Sequence, residues 1–279
     1  MDPEKIYNIV KNLLDEMAED AGVKDLEKYY SVEPKLDVCG EKAGSLIDIF
    51  DRLIGSLQNS FRMKNVIRYW DAPRHLVILP IASQYLGKVN VPYPNVQNAQ
   101  KLYADIQQAL QKAGIQIPAN KQWIKWCQGI LSAAHFLNQF NGTMDLHHGF
   151  ACLYNDVRLR AALPALLEKE IVGMGFTLAC DFLKEIGYDY PKPDIHITDL
   201  FAPICGTRDS YKIYKMVVEY ANAIGITAYK LDKMIWLVCS GNFYKDNIKS
   251  KGQKGELFKR LGNYYTPPVT VTTPITPCP

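Results

Sequence analysis

Residues that could do chemistry cluster in one stretch. Leu166-Leu167-Glu168-Lys169-Glu170-Ile171-Val172-Gly173-Met174-Gly175-Phe176-Thr177-Leu178-Ala179 ends one helical pattern, spaces two glycines by a single apolar residue, and begins another helix at once. Glycines at such a corner let a backbone approach a phosphate closely, and the first amides and positive dipole end of the new helix favour an anion. A corner of this kind holds a phosphate backbone without reading sequence. The same spacing also makes a plain tight corner between two packed helices. Nineteen residues after Gly175 stands Asp194, in Pro193-Asp194-Ile195-His196-Ile197-Thr198-Asp199-Leu200-Phe201. An aspartate after proline and before a helical stretch is an N-cap, where backbone amides keep the carboxylate ionised and oriented. His135 and the pair His147-His148 invite a metal reading, but no carboxylate or cysteine stands at ligand spacing, so they read as packed or surface histidines.

The elements that must position these residues are helices. Pro3 to Met17 follows Asp2 and spaces Ile6, Val10, Leu13, Leu14 and Met17 on one face. Ser45 to about Ile54 repeats the pattern and runs into the polar end Gly55-Ser56-Leu57-Gln58-Asn59-Ser60. Pro73, Pro80, Pro92 and Pro94 predict an irregular or inserted segment over 73–98. Helical periodicity returns at Ala99 to Ala113 and at Lys121 to Phe140, the latter stopped by Asn141-Gly142. Further helices are read at Leu146 to Tyr154, Val157 to Lys169, Phe176 to Ile186, Ser210 to Ile224 and Ala228 to Val238. Strand alternation is scarce, so the expected fold class is all-α. The last stretch, Tyr264 to Pro279, is rich in threonine and proline and is expected to be a disordered tail.

With 279 residues, 48% hydrophobic and 22% charged, the chain can bury one large core or two modest ones. No run approaches the roughly 18 apolar residues of a membrane span, and Met1 to Lys5 is too acidic and polar for a secretory leader, so a cytoplasmic protein with no membrane partner is expected. The net charge of +3 announces no nucleic-acid partner by itself. Its distribution is uneven: Lys245 to Arg260 holds six basic residues against two acidic ones, and Arg62, Lys64, Arg68 and Arg74 form a second group. Either could touch phosphates or be a solvated surface. Seven scattered cysteines (Cys39, Cys127, Cys152, Cys180, Cys205, Cys239, Cys278), with no C-x-x-C pair, indicate neither a disulfide framework nor a zinc site.

The hairpin and the aspartate together resemble the helix-hairpin-helix superfamily of DNA glycosylases, where Leu-Pro-Gly-Val-Gly is followed at this spacing by Val-Asp-Thr-His. Ile130 to Gly142 is similar to the helix before the hairpin in the endonuclease III branch, and Arg52-Leu53-Ile54-Gly55-Ser56-Leu57-Gln58-Asn59 to the helix ending Leu-Leu-Ser-Ala-Gln that carries a DNA-wedging glutamine. The resemblance runs from about Ser45 to Phe201. It implies two helical subdomains flanking a DNA-binding cleft: residues 1–44 packing with the C-terminal part, 45–190 containing the hairpin at about 166–186, 191–263 beginning with the catalytic aspartate, and the tail 264–279. Some members hold an iron–sulfur cluster on a tight run of four cysteines, absent here, so no cluster and no resident metal is expected; a monovalent cation on hairpin carbonyls is implied by the resemblance.

What the resemblance implies chemically is release of a base from double-stranded DNA by a monomeric enzyme. Breaking the base–sugar bond builds positive charge at the anomeric carbon, and a nearby carboxylate, Asp194, would stabilise it. Gly173, Met174, Gly175 and Thr177 would hold the backbone. The target nucleotide must rotate out of the duplex, and Gln58 and Asn59 are the candidates to fill its place. Trp70, Trp123, Trp126, Trp236 and Phe243 are available to stack on the extruded base. Bifunctional members carry a Schiff-base lysine two positions after the second hairpin glycine; here that residue is Thr177, which implies a water-using, monofunctional hydrolase. Lys169, Lys184 and Lys192 lie close enough in sequence for a displaced lysine. Oxidised, alkylated, deaminated and bulky foreign bases all fit, giving repair or defence as the role. The alternatives are a non-catalytic hairpin protein that binds DNA and a helical scaffold.

Overall fold

A computed structural model of the chain describes residues 2–30, 45–60, 63–117 and 120–262. The expected tail at 264–279 and the basic residue Arg62 lie outside the described residues. Among the described residues the chain is all-α: fourteen helices and one antiparallel hairpin of two-residue strands, Asn242–Phe243 with Ile248–Lys249. It divides into two compact units, residues 32–192 and residues 1–31 with 193–279.

The unit of residues 32–192 holds eight of these helices: α3 (Leu46–Leu57), α4 (Lys64–Ile67), α5 (Ala72–Ser83), α6 (Val96–Lys112), α7 (Lys121–Leu137), α8 (Thr143–Tyr154), α9 (Ala162–Glu170) and α10 (Phe176–Glu185). Its axis is α7, which buries Trp123, Trp126, Ile130, Leu131, Phe136 and Leu137 and packs against α3, α4, α6 and α9. The Trp126 indole N–H donates to the Ile54 carbonyl at 2.9 Å, tying α7 to α3 inside the core. Helix α3 begins on a reciprocal cap, Ser45 with Asp48, and turns Ile49, Phe50, Leu53 and Ile54 inward.

The segment 73–98 corrects the expectation of irregular structure, because α5 forms in spite of its prolines. Pro73 sits at the helix start, where no intrahelical N–H bond is needed. Pro80 lacks the N–H that would meet the Leu76 carbonyl, but Pro80 and the 73%-exposed Leu76 both lie at the surface, where the missing bond costs less than in the core. Helix α9 starts at Ala162, not at Val157, and residues 157–161 form turns. The later start puts Pro164 in the first turn, where its missing N–H costs nothing.

The second unit is built from α1 (Pro3–Ala21), α2 (Glu27–Tyr30), α11 (Ile195–Cys205), α12 (Ser210–Ala223), α13 (Ala228–Ser240) and α14 (Lys254–Leu261). Helix α13 is its centre, packed by α1, α2, α11, α12 and α14. Helix α1 starts at Asp2, whose side chain accepts the Glu4 N–H, and buries the predicted stripe Ile6, Val10, Leu13, Leu14 and Met17. Helix α14 lies in the basic run and escaped the sequence reading; Leu257 and Leu261 bury its inner face.

Candidate active site and nucleic-acid interface

Asp194 is the N-cap of α11. Its backbone is extended, and Oδ1 accepts two amides, from His196 at 2.8 Å and Ile197 at 3.3 Å. Both bonds use the same oxygen, so Oδ2 stands outside the cap. Pro193 holds the entry: its carbonyl accepts the Thr198 hydroxyl at 3.3 Å, and the Asp194 carbonyl accepts the Thr198 N–H at 2.8 Å. His196 is half-buried, with Nδ1 lacking a hydrogen-bond partner among the described residues. Within the same unit, burial pushes the Cys239 thiol up to about 12; Lys254 opposes the rise, and the charges of Asp194 and Asp199 add to it. Cys239 is therefore a neutral core thiol and no nucleophile.

The two-glycine corner belongs to the other unit. Ile171 ends α9 in extended backbone, Gly173 takes φ +84°, and the Met174 N–H donates to the Ile171 carbonyl at 3.1 Å. The alternating pattern splits the turn. Ile171, Met174 and Phe176 are buried, whereas Val172 and Gly175 are exposed. Gly175 is the N-cap of α10 and provides no side-chain cap; a Cβ at either glycine would meet nothing within 4 Å. Thr177, the second residue of α10, is half-buried.

What holds this corner was missed by the sequence reading. The Val172 N–H donates to Ser132 Oγ on α7 at 2.9 Å, and Ser132 Oγ in turn donates to the Gly129 carbonyl at 3.0 Å. Gly129 lets α7 pass beneath both the hairpin and the end of α3: a Cβ there would stand 2.9 Å from the Val172 carbonyl and 2.9 Å from Leu57 Cδ1. The signal was present as small residues, Gly129, Ser132 and Ala133, at helical spacing on α7. Helix α10 is also anchored electrostatically. Asp181 is buried, and burial alone would raise its pKa, but the ammonium groups of Lys184 at 2.6 Å and Lys192 at 2.9 Å hold it well below the usual carboxylate range.

Gln58 does not occupy the place expected of a DNA wedge. It is 1% exposed, and its Oε1 accepts the Tyr69 N–H at 2.9 Å, so the side chain closes the end of α3 against the following segment. Asn59, the next residue, is exposed. Of the aromatic candidates, Trp123, Trp126 and Phe243 are fully buried core residues, and Trp236 is half-buried beside Tyr244. Only Trp70 among the five is exposed, at 44%.

The basic runs are largely spoken for. Lys245 donates to the Lys28 carbonyl, Lys254 pairs with Asp199, Lys259 pairs with Glu256 and Arg260 bridges Glu16 and Glu256, leaving the exposed Lys249 and Lys251 as the members of that run without a side-chain hydrogen bond or ion pair among the described residues. In the second group Arg74 donates to the Val66 and Ile67 carbonyls at the end of α4, and Arg68 pairs with Asp71. His135 contacts the Pro92 carbonyl, His147 bonds the Tyr188 hydroxyl, and His148 is exposed. Among the described residues no group of three or more His, Cys, Asp or Glu side chains could hold a metal ion, and no helix is long and apolar enough to cross a membrane.

No family model and no curated protein matches the sequence. Among solved structures, the crystal structure of the Methanocaldococcus jannaschii 8-oxoguanine glycosylase/lyase, in complex with a 15-mer DNA containing 8-oxoguanine, is similar at 15% identity. The match covers 81% of this chain and 97% of that chain, with a TM-score of 0.47.

Proposed function

We propose that the protein is a monofunctional DNA glycosylase of the helix-hairpin-helix superfamily, which removes a modified base from double-stranded DNA and leaves an abasic site. The observation that carries this reading is Asp194: two backbone amides fix one oxygen of a carboxylate and leave the other outside the cap. An acid so held keeps its charge and direction without reorganising as the reaction proceeds. In the hydrolysis the C1′–N bond breaks and its electron pair leaves with the base. Water oxygen bonds to C1′, and the proton that water gives up goes to the departing base. The Asp194 carboxylate stabilises the positive charge that builds on the sugar between those events.

The corner at 171–175 would hold the phosphate backbone. Support comes from its exposed Gly175, from the open space around both glycines, and from the start of α10, which has no side-chain cap. The absence of lyase chemistry is supported by Thr177 and by two of the three lysines near it in sequence: Lys184 and Lys192 are engaged as cations by buried Asp181, and an ammonium in an ion pair is no nucleophile. Incubation with duplexes carrying oxidised, alkylated, deaminated or bulky bases tests the reading. The expected result is released base and alkali-labile sites on at least one duplex, with no strand breaks before alkali. Binding without release from any duplex would favour a non-catalytic DNA-binding protein, and strand breaks without alkali would contradict the monofunctional assignment.

A further inference from the structure

Trp70 is the exposed member of the five aromatic candidates, and its setting is built. Helix α3 carries Gly55 where the indole lies against it; a Cβ there would stand 2.0 Å from the ring, so any larger residue would push Trp70 away. The His75 ring stacks on the indole at 5.4 Å and 28°, and the Arg52 guanidinium stands 5.3 Å from its centroid. His75 is itself fixed by Asp51 at 3.0 Å, and Asp51 accepts the Tyr69 hydroxyl as well. A half-exposed indole held this firmly is a stacking platform prepared before any ligand arrives.

Two cavities meet at Trp70, and size and charge separate them. The smaller, about 160 Å3, is lined by one cation, Arg52, and two carboxylates, Asp181 and Glu185. The larger, about 370 Å3, is lined by Gln58, Lys64, Asn65, Arg68, Trp70 and Asp71, a cationic balance. Only the larger reaches the roughly 300–1,000 Å3 range of small-molecule sites. Its polar groups suit a heteroaromatic ring bearing a phosphate. Gln58 is buried with Oε1 committed to Tyr69, so its Nε2 hydrogens are the part available to a ligand acceptor. Lys64 has no ion-pair partner among the described residues, and Arg68 pairs with Asp71 through Nε, which leaves its terminal nitrogens for an anion.

We propose that this cavity is a nucleotide-binding site, with the base stacked on Trp70, a base acceptor bonded to Gln58, and the phosphate held by Lys64 and Arg68. The nucleotide can be free or part of a single strand, and both present the same ring and phosphate. The site involves neither Asp194 nor the two-glycine corner, so its failure and theirs are distinguishable. The test is titration of the full-length protein with 5′-deoxyadenylate, deoxyadenosine, inorganic phosphate and a single-stranded pentanucleotide, read by calorimetry and tryptophan fluorescence. Saturable binding of the mononucleotide or the pentanucleotide is expected. Tighter binding of the pentanucleotide identifies a strand-borne ligand, and equal or weaker binding a free one. Trp70→Leu should weaken binding about tenfold or more, as loss of one base stack does. Lys64→Gln should weaken nucleotide binding several-fold and leave deoxyadenosine unaffected. Three results would overturn the proposal: no saturable binding at millimolar ligand, nucleotide binding that Trp70→Leu leaves unchanged in a folded variant, or inorganic phosphate binding as tightly as the nucleotide.

Discussion

Helices α10 and α11 begin in opposite ways. Helix α11 is capped by its own anion, the Asp194 carboxylate, which satisfies the first amides from within the chain. Helix α10 begins at Gly175, which has no side chain to offer, on an exposed corner with open space on both glycines. A helix start that carries its own carboxylate has no use for a foreign anion and can turn that carboxylate's other oxygen to chemistry. A helix start without one suits a phosphate from outside. On the proposed function the two starts divide the labour, one for chemistry and one for grip.

Perturbations at the two starts and their supports would break or sharpen that contrast. The largest effect on stability is expected from Asp181→Asn, which leaves Lys184 and Lys192 around a site without its negative charge. Breaking a buried pair of this kind costs on the order of 3 kcal/mol or more, measured by urea unfolding. Asp181 has a depressed pKa in the folded state, so its contribution is present above the ordinary carboxylate value near 4 and is lost as pH falls below it. Unfolding curves at acid pH should therefore converge for the wild type and the variant.

Gly129→Val comes next. Its side chain would press on the Val172 carbonyl, which is backbone and cannot rotate away, so about 1–3 kcal/mol of stability and the shape of the corner should both be lost. DNA affinity should fall with them, measured by fluorescence anisotropy. The two glycines of the corner then separate conformation from approach. Gly173→Ala forces φ +84° on a residue with a Cβ and should cost about 1–2 kcal/mol. Gly175 has φ −87°, so Gly175→Ala should change stability by less than about 1 kcal/mol and still weaken DNA binding, because its methyl group stands where a phosphate would come close.

The smallest effect concerns the end of α10 and its neighbour α8. Burial lowers the pKa of His147 from 6.5, and its Nε2 has no partner among the described residues. A histidine kept neutral by folding contributes fully above that value, and its contribution falls as acid protonates the unfolded chain first. Urea midpoints should drop between about pH 7.5 and 5.5, and less so in His147→Gln.

Much of this contrast is legible from residue order alone. Pro193-Asp194 before a helix specifies a cap, and Gly-Met-Gly between two helical patterns specifies a corner, because both signals are local. Helices α1, α6, α7, α12 and α13 follow from the period of their apolar residues for the same reason. What is not legible depends on partners distant in the chain. Gln58 reads as a polar helix end, and only the Tyr69 N–H, eleven residues on, makes it a core residue. Pro80 of α5 reads as a breaker, and only the exposure of Leu76 and Pro80 shows why it is tolerated. Gly129, with Ser132 and Ala133, marks a small-residue face on α7, but nothing local says what approaches it, since Leu57 and Val172 are over forty residues away on either side.

The central claim is that Asp194 acts on the bond while the corner acts on the backbone. Its most direct test is single-turnover base release on a cleavable duplex by Asp194→Asn, an isosteric change that keeps a capping oxygen, with DNA affinity measured on the same sample. The account predicts release slowed by about 10²-fold or more with affinity nearly unchanged. Release at the wild-type rate by Asp194→Asn would contradict it.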